Sequence, residues 1–539
     1  MEGCKERARD AGLRFQDETL EYIVTNRDLL EISPKMMIPT LYDYWVHDVE
    51  VLKGKGKYEL YPGNPYETVI NTRPAISFYN DNNPDWLNVM IFYHVLGHID
   101  FFQNNTYFRH TWDYDFTGQA LSDKRVIARF RSEKGRWVDY VIEFSRSIDN
   151  LVGYHSELSR LAVSKKSRQL SKLDFYFDVF LQAILKVKTN EYIKEIERFN
   201  QCTEENKSLC EEIFFTQIEK NHPEFEAIFK KHQKGKPSRH VDLIQFILAH
   251  SKFLNKEENL WMKTVIQIIR KTSLFFQPQI RTKIMNEGWA SYWHETLFLQ
   301  DERIKGHEVE FARVNAGVTA LPRVGLNPYA LGMRLFYHIE KMADKGRYEY
   351  KYQRTKDQKQ RKAYDAKTNG GKDYIFNVRE KFCDSVFINH FLDQEFITKH
   401  RLFVAGKRLN KQKMVWEYYV KSRKRKDYLK MIEDTLYHPP HIIVDPKNDH
   451  RTSLYLLHDF EGKPLVKEFI ANTLMGIEYL WGGPVKLETK EVIPMSKVSD
   501  GGLLSLYGPA LPEPEEEPKI EWRRVLYTME NKKLTRKEL

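Results

Sequence analysis

The sequence predicts a mainly α-helical protein with a few strands near its N-terminus, followed by a small α+β domain. Three observations carry that prediction. Apolar residues recur near i, i+3, i+4 and i+7 through most of the stretch from Arg125 to Glu395. Short runs of β-branched and aromatic residues, bounded by Gly, Pro and Asn, occur before residue 80 and again after Lys399. Two polar clusters, around His94 and around Glu287, interrupt helices that are otherwise apolar and aromatic.

In chain order, Pro39 to Trp45 and Tyr61 to Pro65 are turn-rich, and Tyr66 to Ile70 and Ala75 to Tyr79 read as strands. Asn83-Pro84-Asp85-Trp86 supplies a cap and an N1 proline for a helix running through His98. Further helices are expected over Leu173–Ile196, Glu204–Lys231, Val241–Phe253, Glu257–Phe276 and Gln279–Leu299, with a break at Gly235-Lys236-Pro237-Ser238. Asn327 and Pro328 are a natural N-cap and N1 pair for the next one. The charged stretch 345–372 reads as a surface insertion. Beyond it, Leu402–Ala405, Val415–Val420, Ile442–Val444, Ser453–Leu457 and Val485–Leu487 look like strands, with helices near Lys424–Leu436 and Pro464–Leu480. We therefore expect a core domain over 1–398, an α+β domain over 399–510, and a tail over 511–539. That tail would hold an acidic, proline-rich linker, a strand at Ile520–Met529 and a charged end.

Composition narrows the class. With 30 Tyr, 32 Phe and 10 Trp the chain is too aromatic for a disordered protein. The net charge of +10, from 85 basic against 75 acidic residues, is mild for 539 residues, and no nucleic-acid motif accompanies it, so no nucleic-acid partner is expected. Four cysteines without Cys-x-x-Cys spacing fit free thiols in a reducing cytoplasm. No signal-peptide pattern and no apolar run long enough to span a membrane is visible, so a cytoplasmic location is expected. Phosphate-binding Gly-rich loops and a Gly-x-Ser-x-Gly elbow are also missing, which disfavours a nucleotide-binding core and a serine hydrolase.

The chemistry concentrates in Phe92-Tyr93-His94-Val95-Leu96-Gly97-His98 and Asn286-Glu287-Gly288-Trp289-Ala290-Ser291-Tyr292-Trp293-His294-Glu295. Histidines four apart on a helix share a face, so His94 and His98 can address one ion. Glu287 from a second helix would complete an open site of catalytic type, holding a divalent metal, with zinc the expected ion. Ligand atoms within about 4 Å of one another would suit tetrahedral zinc. A metal-free clasp of His–Glu hydrogen bonds between the two helices is the competing reading of the same residues. In His-Glu-x-x-His peptidases the residue after the first histidine is the glutamate base, and here that residue is Val95. A base would then come from His294, Glu295 or Asp100, with His110 behind them, and Asp100 also suits a role as acceptor for a ligand. Asn104, Asn286, Ser291 and Tyr329 are candidate pocket residues.

These motifs resemble the SpoVR family, named for a stage V sporulation protein, along nearly the whole chain. The resemblance rests on Pro39-Thr40-Leu41-Tyr42-Asp43-Tyr44-Trp45, Tyr66 to Asn71, His94 to His98 into Phe101 to Phe108, Met285 to His294, Gly325 to Gly332, Arg451 to Leu456, and Leu480-Trp481-Gly482. It implies a link to spore cortex (peptidoglycan) formation, although the family also occurs in bacteria that do not sporulate. It also implies association with a PrkA-type serine kinase and a von Willebrand-A-like protein. The Asn286-Glu287-Gly288-Trp289-Ala290 segment is similar to the glutamate-bearing helix of gluzincin-type metallopeptidases, hence a zincin-like core and metal-dependent amide hydrolysis as the first expectation for an enzyme. Val95 departs from that pattern. It favours the alternative of a non-catalytic regulatory or scaffold protein working with the kinase.

Overall fold

The computed structural model describes residues 1–16, 18–25, 68–112, 115–152, 172–185, 187, 189–206, 210–234, 242–410, 415–436, 439–445, 453–460, 462–492 and 522–539. The turn-rich stretches at 39–45 and 61–65, the break at 235–238 and the acidic linker at 511–518 lie outside the described residues. The chain is mainly helical, with a C-terminal sheet region as expected. It forms two compact units, 159–241 and the remainder.

The smaller unit is helical over Thr189–Asn206, Cys210–Asn221 and Phe225–Lys234, preceded by a π-helical turn at Phe175–Ile184. Its core is almost wholly aromatic, built on Phe175, Tyr176, Phe180, Phe214, Phe215 and Phe225. Edge-to-face pairs such as Phe180–Phe225, with centroids 4.9 Å apart, add to the burial.

The larger unit begins with helix α1 (Glu2–Asp10) and strands β1 (Thr19–Val24), β2 (Thr68–Ile70) and β3 (Ala75–Asn80). These strands form one sheet in the order β1-β3-β2, with β1 parallel and β2 antiparallel to β3. Helix α2 (Asp85–Asn104) follows directly. Pro84 stands at its N-cap in extended geometry, one residue before the N1 place expected for it. From Met90 to Phe102 every residue of α2 is buried, so this is a central helix of the core.

Helices α3 (Phe116–Lys134), α4 (Trp137–Arg146), α5 (Leu243–His250) and α6 (Leu260–Arg281) make a second layer. The sequence suggests a break near Pro278, but α6 runs through it. Proline cannot donate to the carbonyl four residues back. That carbonyl, Leu274 O, instead lies 2.9 Å from Nε2 of His110, so the orphaned acceptor is satisfied.

Helix α7 (Lys283–Gln300) starts afresh after Thr282. Its first N–H groups, at Ile284 and Met285, both donate at 2.8 Å to the carboxylate of Asp384. That residue opens another helix, Asp384–Phe391. Helix α8 (Glu308–Val318) and helix α9 (Pro328–Asp344) complete the layer, the latter capped by Asn327 as expected. The charged stretch beginning at Lys345 carries two short helices, Tyr350–Arg354 and Gln358–Ala363.

Glycines set how closely α2, α7 and α9 approach. A Cβ on Gly97 would stand 2.7 Å from Cα of Ala290, and one on Gly288 would meet the backbone of Gly332. Helix α7 is thus gripped on both sides through glycine contacts, and backbones come together where larger residues would hold them apart.

The C-terminal strands divide into two sheets. Strands β4 (Val404–Asn410) and β5 (Val415–Ser422) form an antiparallel ribbon. Strands β6 (Ile442–Val444), β7 (Leu454–His458), β8 (Val485–Val492), β9 (Trp522–Glu530) and β10 (Lys533–Glu538) form the other, in the order β10-β9-β8-β7-β6. β7 and β8 run parallel through the crossover helix Lys467–Trp481. The inner face of this sheet, with Leu454, Leu456, Val485, Leu487 and Val525, shares one apolar core with residues of α3 to α6. The charged end expected as a tail is strand β10. Asn531 and Lys532 both take positive φ, which makes the tight turn that folds it back on β9. Its exposed Lys, Arg and Glu suit an edge strand. Among the described residues no helix is long and apolar enough to cross a membrane.

Candidate metal centre

His94 and His98 lie one turn apart on α2, and Glu287 lies in the first turns of α7. Gly97, between the two histidines, is where the helices touch, so the imidazoles and the carboxylate meet across a very short gap. Oε2 of Glu287 is 3.6 Å from Nε2 of His98 and 3.9 Å from Nε2 of His94. One ligand atom from each of the three lies within 4.8 Å of the others. A tetrahedral zinc site with bonds near 2.0 Å has edges of about 3.4 Å. The observed set is therefore somewhat splayed.

Hydrogen bonds on the far side of each ring orient the pair. Nδ1 of His98 lies 2.9 Å from Oδ1 of Asn286. Nδ1 of His94 lies 2.8 Å from Nδ1 of His294, whose Nε2 lies 2.9 Å from Oδ1 of Asn315. Asn315 cannot be turned over, because its Nδ2 donates at 2.6 Å to the Glu295 carboxylate, which only accepts. The asparagine oxygen therefore receives the Nε2–H of His294. In neutral rings, Nδ1 of His294 must then accept from Nδ1–H of His94. The consequence is that His94 turns an Nε2 lone pair toward Glu287. The contact with Asn286 holds the ring of His98 in place. Two imidazole nitrogens and a carboxylate oxygen thus face one region, a donor set that suits a cation.

Oε2 of Glu287 is buried and has no hydrogen-bond partner among the described residues. Its distances to both Nε2 atoms exceed hydrogen-bonding range, whereas the Nδ1 contacts behind the rings are short. Both His–Glu contacts are of ion-pair length. The donor set, two imidazoles and a carboxylate, fits a borderline-soft divalent ion such as zinc.

The other residues singled out from the sequence divide into three groups. Asn286, His294 and Glu295 stand behind His98 and His94, the last through Asn315. Tyr337 also donates to Glu295 at 3.0 Å, and burial followed by that carboxylate pushes its own hydroxyl well up. Both ring nitrogens of His294 are engaged in this chain, so it stands behind His94 rather than beside the carboxylate. Tyr329 and Ser291 border the site: the tyrosine ring stacks on His94 with centroids 5.9 Å apart, and the serine Oγ is buried one turn from Glu287 without a hydrogen-bond partner among the described residues.

Asp100 and Asn104 belong to a separate network. Asp100 accepts from Arg14 N–H at 2.7 Å and from Trp289 Nε1–H at 2.8 Å, and it pairs with Arg379 at 3.2 Å. Burial pushes its carboxyl up, opposed by the Arg379 charge. Asn104 donates to Arg14 O and Asp100 O. These contacts tie α2 to the N-terminal segment and to α7, a structural duty. His110, occupied by Leu274 O, has a structural duty as well.

Sequence reasoning missed Asn315, Tyr337 and Asp384. Burial pushes the Asp384 carboxyl up to about 7, even though the two N–H groups it receives favour the ionised form. No spacing rule marks these residues, since each acts from a different helix. Gly97 and Gly288, unusual inside helices, were the legible signal of the close crossing.

A family model described as "SpoVR like protein" matches residues 1–439, a span that contains both ligand helices and the ribbon. The "Uncharacterized protein YcgB" of Escherichia coli (strain K12) is 24% identical over 410 residues, covering 71% of this chain and 69% of its own. No solved structure matches. The motifs read from the sequence as far as Gly332 fall inside that span, those at Arg451–Leu456 and Leu480–Gly482 lie beyond it, and the chain belongs to the SpoVR-like family.

Proposed function

We propose that this chain is a metal-dependent protein in which His94, His98 and Glu287 hold a divalent ion, zinc by the donor set. The observation that carries the reading is the convergence of both Nε2 atoms on Glu287 Oε2, which has no hydrogen-bond partner among the described residues. A divalent ion held there supplies Lewis acidity for polarising a carbonyl and activating water, which is the basis for proposing amide hydrolysis. Family membership supports a sporulation-related role. Spore cortex (peptidoglycan) formation is the finer proposal, with a PrkA-type serine kinase and a von Willebrand-A-like protein as partners and the cytoplasm as the compartment.

Elemental analysis of the purified chain tests the site. About one divalent ion per chain is expected, lost in His98→Ala and in Glu287→Gln while the fold persists. Protein free of metal after purification and after incubation with zinc would overturn the reading.

One observation favours a second reading. Val95, where His-Glu-x-x-His peptidases carry their base, is fully buried in the apolar core. A regulatory or scaffold protein acting with the kinase needs no such base. Kinase binding that survives His98→Ala and Glu287→Gln would support it, and binding lost with the metal would count against it.

A further inference from the structure

One segment of the chain is strongly basic. Residues 401–430 hold eleven Lys and Arg against two acidic residues, while the whole chain carries +10. That segment contains the β4–β5 ribbon and the start of the helix Arg425–Thr435. Arg425 is spent on the carbonyls of Asn389 and Leu392, and Arg408 pairs with Glu417 at 3.4 Å. Lys407 lies over the Trp416 ring at 4.5 Å, and Arg423 over Phe403 at 5.7 Å, and neither cation has an acidic partner among the described residues.

The ribbon is also unusually apolar for an exposed element. Trp416 and Tyr418 are each 57% exposed, and Val415, Tyr419 and Val420 are exposed as well. Alternation along β5 places Trp416, Tyr418 and Val420 on one face and Val415 and Tyr419 on the other. A two-stranded ribbon with aromatic and aliphatic groups open on both faces is marginal in water by itself.

We infer that the β4–β5 ribbon is a peripheral membrane-binding device for an anionic lipid surface. Tryptophan and tyrosine favour the headgroup level of a bilayer, and nearby Lys and Arg are drawn to anionic lipid. The two-faced distribution favours lipid over nucleic acid. A single strand of nucleic acid stacks along one aromatic face, whereas a ribbon immersed in headgroups wets both. The charge cluster supplies the sign: it complements phosphatidylglycerol-type headgroups and repels cationic ones.

The test uses the full chain and sedimentation with vesicles of phosphatidylcholine, alone or mixed with phosphatidylglycerol. Uptake is expected only with phosphatidylglycerol, and it should fall steeply between about 0.05 and 0.5 M salt. Each cation near such a surface contributes roughly fivefold. Replacing Lys407, Arg423, Lys424 and Lys426 by Gln should therefore weaken uptake about a hundredfold after screening. Trp416→Ala with Tyr418→Ala, which leaves the charge unchanged, should weaken it roughly tenfold. These side chains are exposed, so both variants should keep the thermal midpoint of the parent. Equal uptake by the two vesicle types, or variants that sediment like the parent, would overturn the proposal. So would tighter binding of single-stranded RNA or of polyglutamate through the same residues.

Discussion

The close approach of α2 and α7 at Gly97 makes a prediction whose sign is set by competing magnitudes. Gly97→Ala replaces the poorest helix former after proline with the best one, worth about 1 kcal/mol in favour of the variant. The added Cβ, however, would stand 2.7 Å from Cα of Ala290, a backbone atom with no rotamer to escape into. Ordinary contact requires the helices to part by about 0.7–1 Å, and overpacking of this kind costs roughly 3 kcal/mol. The net expectation is destabilisation by about 2 kcal/mol, seen in calorimetry as a fall of roughly 2 °C in the transition of the larger unit. The same parting widens the gap between Glu287 and the two imidazoles. Metal–ligand bonds tolerate about 0.2 Å, so affinity in a chelator competition should drop at least about tenfold. Gly317→Ala is the internal control. A Cβ there meets nothing within 4 Å, and that helix should gain up to about 1 kcal/mol. A Gly97→Ala protein as stable as its parent, with the same metal affinity, would refute the argument that glycine contact builds the site.

Three further outcomes follow from the same contacts. Asn315→Leu removes the group that fixes His294 and leaves the Glu295 carboxylate short of a donor, so it should cost about 2 kcal/mol and lower metal affinity about 10–100-fold, read by calorimetry and chelator competition. Asp384→Ala leaves the Ile284 and Met285 N–H groups unsatisfied at the start of α7; a loss of about 3 kcal/mol is expected in the thermal midpoint, with weaker metal retention. Burial would raise the Glu491 carboxyl, yet hydrogen bonds from Arg536, Tyr527 and Lys467 hold it at about 2. Its folded value lies below the unfolded 4.5, so this contribution is complete above about pH 4.5 and is lost as pH falls toward 2. About 3 kcal/mol is at stake, and Glu491→Gln should flatten that part of the pH–stability curve.

The fold was legible where one physical rule dominated. Periodicity along α7 and the cap at Asn327 could be read directly, as could the start of β8 at Val485–Leu487. The meeting of His94, His98 and Glu287 was legible too, because spacing on a helix fixes which side chains share a face. What escaped depended on contacts distant in sequence. Nothing local in α6 says that His110 will satisfy the carbonyl freed by Pro278, so a break was expected where the helix continues. The end of the chain looked like a solvated tail because its charges are all exposed, which is also how an edge strand looks. Net charge was averaged over the whole chain, which hid the cluster at 401–430. Asn315 carries no motif; its importance comes from standing between Glu295 and His294.

That position of Asn315 also bears on whether the site cuts anything. In a water-activating site the carboxylate takes a proton beside the ion, and such a base is worth about 10²–10⁴ in rate. Here Glu295 reaches His94 only through an asparagine and a second imidazole. An amide does not take up a proton and pass it on as a carboxylate or imidazole does, so this chain of bonds orients the ligand and leaves the base unsupplied. Ser291 is the group that stands out. Its hydroxyl is fully buried beside Glu287 with no hydrogen-bond partner among the described residues, and a buried polar group left so requires a reason. If amide hydrolysis is measured, Ser291→Ala should reduce it at least about tenfold at unchanged metal content, by removing a donor that serves the reacting oxygen or its water. If Ser291→Ala hydrolyses like its parent, that role is refuted. If metal-loaded protein hydrolyses nothing, the centre holds its ion for structure or regulation, as Val95 would have it.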